Sequence, residues 1–165
     1  MTTKEISNKQ ERLVSSYLGW GTVPASGARD FNPGDISSDD WLGECKTHTK
    51  QVDVIEFNLS VFNKISTEGM SKFKKPVLIV DNGTQSIDST YVIVSDKHVP
   101  ELMLDIIRNG PVLTKYKSGS KSFNIRIKFV ELSGFIHVVP WSTLGNFVIM
   151  PLVEFKKLLD GDYYE

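Results

Sequence analysis

The chain has 165 residues, of which 40% are hydrophobic and 24% are charged, so its size and composition predict one globular domain over residues 1–165 with a sizeable core. Nineteen basic and twenty acidic residues leave a net charge of -1, which neither favours nor excludes nucleic acid, so any DNA contact must come from local basic patches. The single cysteine, Cys45, excludes an intramolecular disulfide and a zinc site built from thiolates, and it is typical of a protein of the reducing cytoplasm.

The N-terminal part of the chain predicts a helix, a loop and a hairpin. Residues 7–10 (SNKQ) have the Ser-x-x-Gln pattern of a capping box, so a helix is predicted from there to about Leu18. The N-terminal residues 1–12 are polar and charged and lack the apolar core of a signal peptide. Residues 20–33 are rich in Gly, Pro, Ser and Asn and are predicted to form a loop or an irregular strand. Residues 35–36 and 41–47 are predicted to be two strands joined by a polar turn.

Helix and strand patterns continue to alternate toward the end of the chain. Residues 77–81 (VLIVD) are predicted to form a strand that is buried on both faces. The further predicted elements are helices at 56–73, 100–108 and 151–161 and strands at 90–95, 123–130, 135–140 and 147–150. This order of elements predicts an α/β fold with a mixed β-sheet flanked by helices, and no apolar run is long enough to span a bilayer.

Glu44 and Lys46 form the first chemical signal, because they lie in a predicted strand. Alternate side chains of a strand point the same way, so Glu44 and Lys46 should share one face while Cys45 turns into the core. The chain also contains the same spacing at Glu154 and Lys156, in the predicted terminal helix. Positions i and i+2 of a helix do not share a face, so that second pair is predicted to be surface charge.

Asp35 lies on the strand before the turn and should approach Glu44 within one or two rungs of the hairpin. Two carboxylates that converge repel each other unless a cation joins them. Oxygen ligands suit Mg²⁺, with Mn²⁺ as an alternative, and the backbone carbonyl of Cys45 could add a neutral oxygen. Lys46, beside the metal, could hold or deprotonate an attacking water.

Glu11 supplies a third carboxylate from the first helix. Glu11, Val14 and Leu18 fall at i, i+3 and i+7, so Glu11 lies along the edge of the apolar stripe. A carboxylate in that position is costly unless it is paired or bound to a metal. The pattern therefore indicates an acidic cluster made of Glu11, Asp35 and Glu44.

Each member of this cluster also has an ordinary structural interpretation. Asp35 could be a turn residue, Glu44 and Lys46 could be an ion pair on a solvated face, and Glu11 could be a surface residue of the helix. All three occurring together, in this order and spacing, favours a joint site.

A basic stretch without any acidic residue runs from residue 113 to residue 129. It is predicted to be a hairpin whose cations contact DNA phosphates; they are Lys115, Lys117, Lys121, Arg126 and Lys128. The alternative is an edge hairpin whose lysines prevent aggregation.

Four segments in order, "KQERLVSSYLGW", "VPASGARDFNPGD", "GECKTHT" and "LSVFNKISTEGMSKFKKPVLIV", resemble the PD-(D/E)xK nuclease superfamily. More narrowly, they resemble the archaeal-type Holliday junction resolvases and their phage relatives. The resemblance covers roughly residues 9–81. It implies a restriction-endonuclease-like nuclease core and an endodeoxyribonuclease that depends on Mg²⁺ and acts in DNA recombination.

The resemblance also implies roles at matching positions. Asp35 and Glu44 would be metal ligands, Lys46 the catalytic lysine, and Glu11 would complete the acidic cluster as a further metal ligand and catalytic residue. The positions implied or expected to contact DNA are Arg12 on a phosphate, Ser26 near the scissile phosphate, and Arg29 in the same loop as a further part of the DNA path.

A resolvase of four-way junctions makes two symmetric cuts, so the resemblance implies a C2 homodimer. It would work in the cytoplasm, or in the host cytoplasm if the protein is viral. Two other hypotheses stay open. The chain could be a restriction-like or repair nuclease acting on other DNA, or it could be a non-catalytic DNA-binding or scaffold domain.

Overall fold

The computed structural model describes residues 1–23, 34–113, 124–132, 134–139 and 145–164. The elements in chain order are α1 (Thr3–Leu18), β1 (Gly21–Thr22), β2 (Ile36–Ser37), β3 (Trp41–Lys46), β4 (Val54–Asn58), α2 (Leu59–Ser71), β5 (Lys75–Asp81), β6 (Thr90–Ser95), α3 (Glu101–Arg108), β7 (Val112–Leu113), β8 (Asn124–Lys128), β9 (Ile136–Val138), β10 (Phe147–Pro151) and α4 (Leu152–Leu159). The fold is α/β with a mixed sheet flanked by helices, as predicted.

The main sheet has eight strands in the order β1-β2-β3-β5-β6-β10-β9-β7. Strands β3 and β5 are parallel, and α2 lies in the connection between them, whereas β2–β3 and β5–β6 are antiparallel. Strands β4 and β8 form a separate antiparallel pair. The candidate residues of β2 and β3 therefore lie toward one edge of the main sheet, next to its most buried strand.

Each face of the main sheet packs against its own hydrophobic core. Val77 and Ile79 of β5 point to the side covered by α1, α3 and α4. Leu78 and Val80 point to the opposite side, which α2 and the β4–β8 pair cover. All four side chains are at most 1% exposed, so the prediction of a strand buried on both faces is confirmed.

Two predicted helix starts are wrong. The first helix begins at Thr3 rather than at residue 7, because Thr2 and Glu5 form the capping box that residues 7–10 were predicted to form. The second helix begins at Leu59 rather than at residue 56, because the preceding residues are the strand β4 and the side chain of Asn58 caps α2. Neither change moves the hairpin or the apolar stripe of α1.

The other predicted elements agree with the structure to within a few residues at their ends. The strand predicted at 123–130 is described over Asn124–Lys128, and residue 123 lies outside the described residues. In the part of the chain that the structure describes, no helix combines the length and the apolar composition needed to cross a bilayer.

Candidate active site

The hairpin formed by β2 and β3 brings Asp35 beside Glu44. Ile36 pairs with Gly43, so the next rung of the ladder places Asp35 opposite Glu44. The backbone N–H of Asp35 donates to the carbonyl oxygen of Gly43 at 2.8 Å. The Oδ2 atom of Asp35 accepts a hydrogen bond from the backbone N–H of Cys45 at 2.8 Å. Asp35 is thus held against the backbone of β3, as the predicted hairpin requires.

Gly34 makes the approach of Asp35 to β3 possible. Its φ is 74°, in the left-handed region, and a Cβ atom there would lie 2.7 Å from the side chain of Leu42. Any other residue would be strained at this φ and would have to displace the buried side chain of Leu42. The Gly-Asp pair at positions 34 and 35 is therefore a steric requirement of the site.

Side chains alternate along β3 as predicted. Cys45 is 7% exposed and belongs to the core that α1 covers. Glu44 and Lys46 point to the other face, where their strand neighbours on β5 are Leu78 and Val80. The Nζ atom of Lys46 lies 2.7 Å from Oε1 of Glu44. This ion pair is at the rim of the face that α2 and the β4–β8 pair cover.

Lys46 is an ammonium in this arrangement. Partial burial lowers the pKa of Lys46, but the hydrogen bond to Glu44 and the negative charges of Glu44 and Asp35 outweigh burial, so the pKa lies above its ordinary value. Lys46 can therefore donate hydrogen bonds to a water or to a phosphate oxygen. To accept a proton, Lys46 would first have to become neutral and give up its contact with Glu44. The arrangement therefore favours a Lys46 that holds the attacking water over one that deprotonates it.

The pKa of Glu11 depends on its burial and on the charges of the site. Burial, and after it the negative charges of Asp35 and Glu44, raise the pKa of Glu11 to about 7, while the charge of Lys46 opposes them. The net field at Glu11 is therefore negative even though an ammonium is near. The structure places Asp35, Glu44 and Lys46 together on the hairpin, and Glu11 lies within electrostatic range of all three.

The donor set of the site suits a hard cation. Mg²⁺ and Mn²⁺ accept carboxylate and carbonyl oxygens, and Mg²⁺ commonly takes one or two carboxylates and keeps several waters. Asp35, Glu44 and the carbonyl of Cys45 would hold such an ion, and its charge would relieve the field that raises the pKa of Glu11. Across residues 1–23, 34–113, 124–132, 134–139 and 145–164, no group of three His, Cys, Asp or Glu side chains is arranged to bind a metal by itself. The ion would thus depend on water and substrate for its remaining ligands.

A buried polar contact that the sequence analysis missed ties α1 to β3. Gln10 is 1% exposed, and its Nε2 atom donates to the carbonyl oxygen of Lys46 at 2.7 Å and to Oδ1 of Asp81 at 3.3 Å. Asp81 is 0% exposed and its Oδ2 accepts the backbone N–H groups of Gly83 and Gln85 at 3.2 and 2.6 Å. Gln10 therefore fixes the helix that carries Glu11 to the strand that carries Lys46.

Substitution of Gln10 by alanine is expected to lower the free energy of unfolding by about 1–3 kcal/mol, because the partly buried carbonyl of Lys46 and the buried carboxylate of Asp81 lose their shared donor. Urea denaturation at pH 7 measures this change. The matched control is Gln51→Ala, because the side chain of Gln51 is exposed, and its expected effect is within about 0.5 kcal/mol. Equal stability of the two variants would show that the contact between α1 and β3 contributes nothing.

The raised pKa of Glu11 predicts how the stability of the metal-free protein depends on pH. The unfolded chain releases this proton near the ordinary pKa of 4.5, whereas the folded protein keeps it to about pH 7. Between these values the folded state binds more protons than the unfolded state, so the free energy of unfolding falls as the pH rises. Glu11→Gln is therefore expected to raise Tm at pH 8 and to change it little at pH 4.

Thermal unfolding in a chelator, followed by circular dichroism at both pH values, measures the effect of Glu11→Gln. The control is Glu5→Gln. The hydrogen bond from the backbone of Thr2 lowers the pKa of Glu5, so Glu5→Gln should not raise Tm at pH 8. If Glu11→Gln leaves Tm unchanged at pH 8, Glu11 does not sense the carboxylates of the hairpin.

The predicted DNA contacts are only partly within the described structure. Arg126 and Lys128 are exposed on β8, and Nε of Arg126 lies 3.5 Å from Oε2 of Glu56 on β4, so Arg126 is partly neutralised. Arg12 is exposed on α1 next to Glu11. The remaining predicted contacts lie outside the described residues; they are Ser26, Arg29, Lys115, Lys117 and Lys121.

The second Glu-x-Lys spacing behaves as predicted. In α4, Lys156 pairs with Asp160 at 3.0 Å and Glu154 pairs with Lys157 at 3.1 Å. Glu154 and Lys156 thus each bind another residue of the helix surface. Only the spacing in β3 takes part in a convergent group of charges.

The candidate site is therefore a group of three carboxylates and one ammonium from α1, the residue before β2, and β3. Its field is net negative, one carboxylate is fixed by a backbone N–H, and the ammonium is positioned by another carboxylate. Its carboxylate oxygens are of the type that hard cations prefer, and its ammonium is a proton donor beside them. Comparisons of the chain with protein-family models, with curated proteins and with solved structures found no match.

Proposed function

We propose that the protein is a metal-dependent DNA endonuclease that hydrolyses phosphodiester bonds, with four-way DNA junctions as its substrate. The observation that supports this most strongly is the geometry of the hairpin: Asp35 lies opposite Glu44, accepts the N–H of Cys45 at 2.8 Å, and Lys46 lies 2.7 Å from Glu44. Burial, together with the charges of Asp35 and Glu44, also raises the pKa of Glu11. Perturbed carboxyl groups that cluster around a lysine are typical of catalytic sites. The resemblance of residues 9–81 to PD-(D/E)xK nucleases assigns the same four positions to catalysis.

Phosphodiester hydrolysis needs an in-line water, a neutralised phosphoryl oxygen and a stabilised leaving oxygen. When bound, Mg²⁺ supplies positive charge to the phosphoryl group and lowers the pKa of a coordinated water. Asp35 and Glu44 would hold the ion, and the hydrogen bond from the N–H of Cys45 keeps the carboxylate of Asp35 in place. The ammonium of Lys46 donates to the attacking water or to a phosphate oxygen.

A non-catalytic scaffold explains the site less well than an enzyme. A structural ion pair such as Lys46–Glu44 would be most stable without further carboxylates nearby. Here Glu11 and Asp35 add negative charge, and burial together with the charges of Asp35 and Glu44 raises the pKa of Glu11, which disfavours its ionised form. Residues that cost stability in this way are expected where binding or catalysis needs them.

The substrate and the assembly follow from the resemblance. Two symmetric cuts in a four-way junction need two active sites, so the protein acts as a C2 homodimer. It works in the cytoplasm, or in the host cytoplasm if it is viral, where its buried Cys45 stays reduced. The DNA contacts of this proposal are Arg12, Ser26, Arg29, Lys115, Lys117, Lys121, Arg126 and Lys128.

Cleavage of three end-labelled substrates in Mg²⁺ tests the proposal: a four-way junction, a duplex and a single strand. Symmetric nicks in two strands of the junction, with little cleavage of the duplex, are the expected result. Cleavage of the duplex alone would favour a restriction-like or repair nuclease. Binding without any cleavage would favour the non-catalytic alternative.

A further inference from the structure

Phe73, two residues after the end of α2, is an aromatic side chain that the fold does not use. It is 96% exposed, so it gains nothing from burial. Its φ is 58°, in the left-handed region, which is costly for a residue with a bulky side chain. The backbone conformation of Phe73 therefore lowers the stability of the fold, and no burial of the ring offsets this loss.

The way in which α2 ends imposes this backbone conformation. The backbone N–H of Lys74 donates to the carbonyl oxygen of Gly69 at 2.8 Å, and that of Phe73 donates to the carbonyl of Met70 at 3.3 Å. This is a Schellman arrangement, whose left-handed position usually holds glycine. In the described part of the chain, all but one of the other left-handed positions hold glycine. These glycines are Gly19, Gly34, Gly83, Gly134, Gly145 and Gly161.

The exception, Gln85, shows what compensation for such strain looks like. Its φ is 56°, but its backbone N–H donates to Oδ2 of Asp81 and its Nε2 donates to the carbonyl of Ile6, both at 2.6 Å. Within the described residues, the side chain of Phe73 has no comparable contact, and its ring meets no other aromatic ring. An uncompensated strained residue favours a role in binding.

The surroundings of Phe73 limit what it can bind. Met70, whose carbonyl accepts the N–H of Phe73, is 74% exposed, so the exposed apolar surface at this end of α2 is a small patch of these two residues. A single aromatic side chain offers roughly 150–250 Å², whereas a stable protein interface buries about 800 Å² on each partner. Ser71 and Lys72, between them in sequence, are polar and exposed. The patch is too small for a stable dimer contact but suits the flat face of one nucleobase.

Lys72 provides the charge that a nucleic acid needs beside such a patch. It is exposed, and within the described ranges it forms no ion pair. Proteins that bind single strands combine aromatic side chains that stack on bases with cations that contact the backbone. In addition, α2 lies on the same side of the main sheet as Glu44 and Lys46. Lys75, two residues after Phe73, pairs with Trp41 at the start of β3, so Phe73 lies beyond that end of the strand, more than three residues (roughly 10 Å) from Glu44. DNA that extends from the candidate site toward the start of β3 would reach Phe73.

We propose that Phe73 stacks on an exposed nucleobase of bound DNA while Lys72 contacts a neighbouring phosphate. This inference rests on the proposed function only in taking DNA as the ligand. Base faces are open in single strands and at the branch point of a junction, and they are covered inside a continuous duplex. Phe73 therefore favours branched and single-stranded DNA over duplex.

The test compares Phe73→Gly, which removes the ring and the strain, with Phe73→Trp, which keeps a stacking ring. Binding of fluorescein-labelled single strand, four-way junction and duplex closed by hairpin loops is measured by anisotropy in a chelator, so that no cleavage occurs. Phe73→Gly is expected to weaken binding to the single strand and the junction about tenfold, and to leave binding to the closed duplex unchanged. Phe73→Trp should keep the wild-type affinities.

Stability and oligomeric state are measured on the same samples. Phe73→Gly is expected to raise Tm, because glycine adopts the left-handed conformation without strain. Unchanged binding to the single strand and the junction would overturn the inference, as would an equal loss on the closed duplex. A loss of dimer mass on light scattering would overturn it in favour of a contact with a second copy of the chain.

Failure of this inference can be told apart from failure of the proposed function. If the wild type cleaves junctions in Mg²⁺ and Phe73→Gly binds them normally, only the stacking contact is wrong. If the wild type cleaves no DNA but binds single strands through Phe73, the nuclease proposal fails and the stacking contact stands.

Discussion

Glu44→Gln is expected to slow the Mg²⁺-dependent cleavage of a four-way junction by at least about a hundredfold. Loss of a partner that only orients a metal ligand already costs about 10–100-fold, and Glu44 would be a ligand itself. The amide is nearly isosteric but carries no charge. It therefore loses the attraction to the ammonium of Lys46, which in the wild type lies 2.7 Å from Oε1 of Glu44. Single-turnover cleavage measures the loss.

Asp35→Asn is expected to have a similar effect on cleavage with little effect on folding. Asparagine keeps an oxygen that can accept the hydrogen bond from the N–H of Cys45, which is 2.8 Å long in the wild type. Both variants should bind junction DNA in a chelator about as well as the wild type does. The matched control is Glu154→Gln, because Glu154 pairs with Lys157 on α4, and that variant should cleave at the wild-type rate. Near wild-type cleavage by Glu44→Gln or Asp35→Asn would contradict the assignment of these residues to the active site.

Lys46→Ala is expected to reduce the cleavage rate by about 10²–10³-fold, the usual loss when one preorganised donor is removed from a developing charge. The ammonium of Lys46 is held by Glu44 and is the positive charge that opposes the carboxylates around Glu11. Its removal takes away a donor to the water or phosphate and leaves the field more negative. The pKa of Glu11 should rise further as a result.

The chain contains its own control for the lysine. Lys156→Ala removes a lysine from the same Glu-x-Lys spacing, but Lys156 pairs with Asp160 on α4. Cleavage by Lys156→Ala should equal that of the wild type, with circular dichroism showing that both variants are folded. Equal losses in Lys46→Ala and Lys156→Ala would mean that the position of Lys46 on β3 has no special role.

The hairpin could be predicted because its determinants are local. A strand alternates its side chains with a period of two residues, so the separation of Glu44, Lys46 and Cys45 between two faces follows once the strand is recognised. A short polar turn then leaves few registers for Asp35. The proximity of Glu11 could be anticipated from its place beside the apolar stripe of the first helix.

The start of α1 was mispredicted because the chain contains two capping patterns. Thr2-x-x-Glu5 and Ser7-x-x-Gln10 both match, and the structure uses the first. Each further helical turn adds backbone hydrogen bonds, so the longer helix is favoured once both patterns compete. Gln10 then becomes a buried side chain in the middle of α1 rather than part of its cap.

Contacts between distant segments could not be predicted. Ile55 and Phe57 of β4 are fully buried and pair with Ile127 and Ile125 of β8, about seventy residues further along the chain, which makes residues 54–58 a strand. The contact of Gln10 with Asp81 spans 71 residues. Two local signals were available: Gln10 lies one helical turn before Val14 on the buried side, and Asp81 directly follows an apolar strand run. Neither signal says which residue meets the other.

The dependence of junction cleavage on a divalent ion tests the central claim most directly. Cleavage of a labelled four-way junction by the wild type is followed before chelation, after chelation, and after Mg²⁺ is added back in excess. The acidic site predicts that cleavage stops in the chelator and returns with Mg²⁺, while circular dichroism shows the same fold throughout. Cleavage that continues in the chelator, or no cleavage of any DNA in Mg²⁺ by the folded protein, would contradict it.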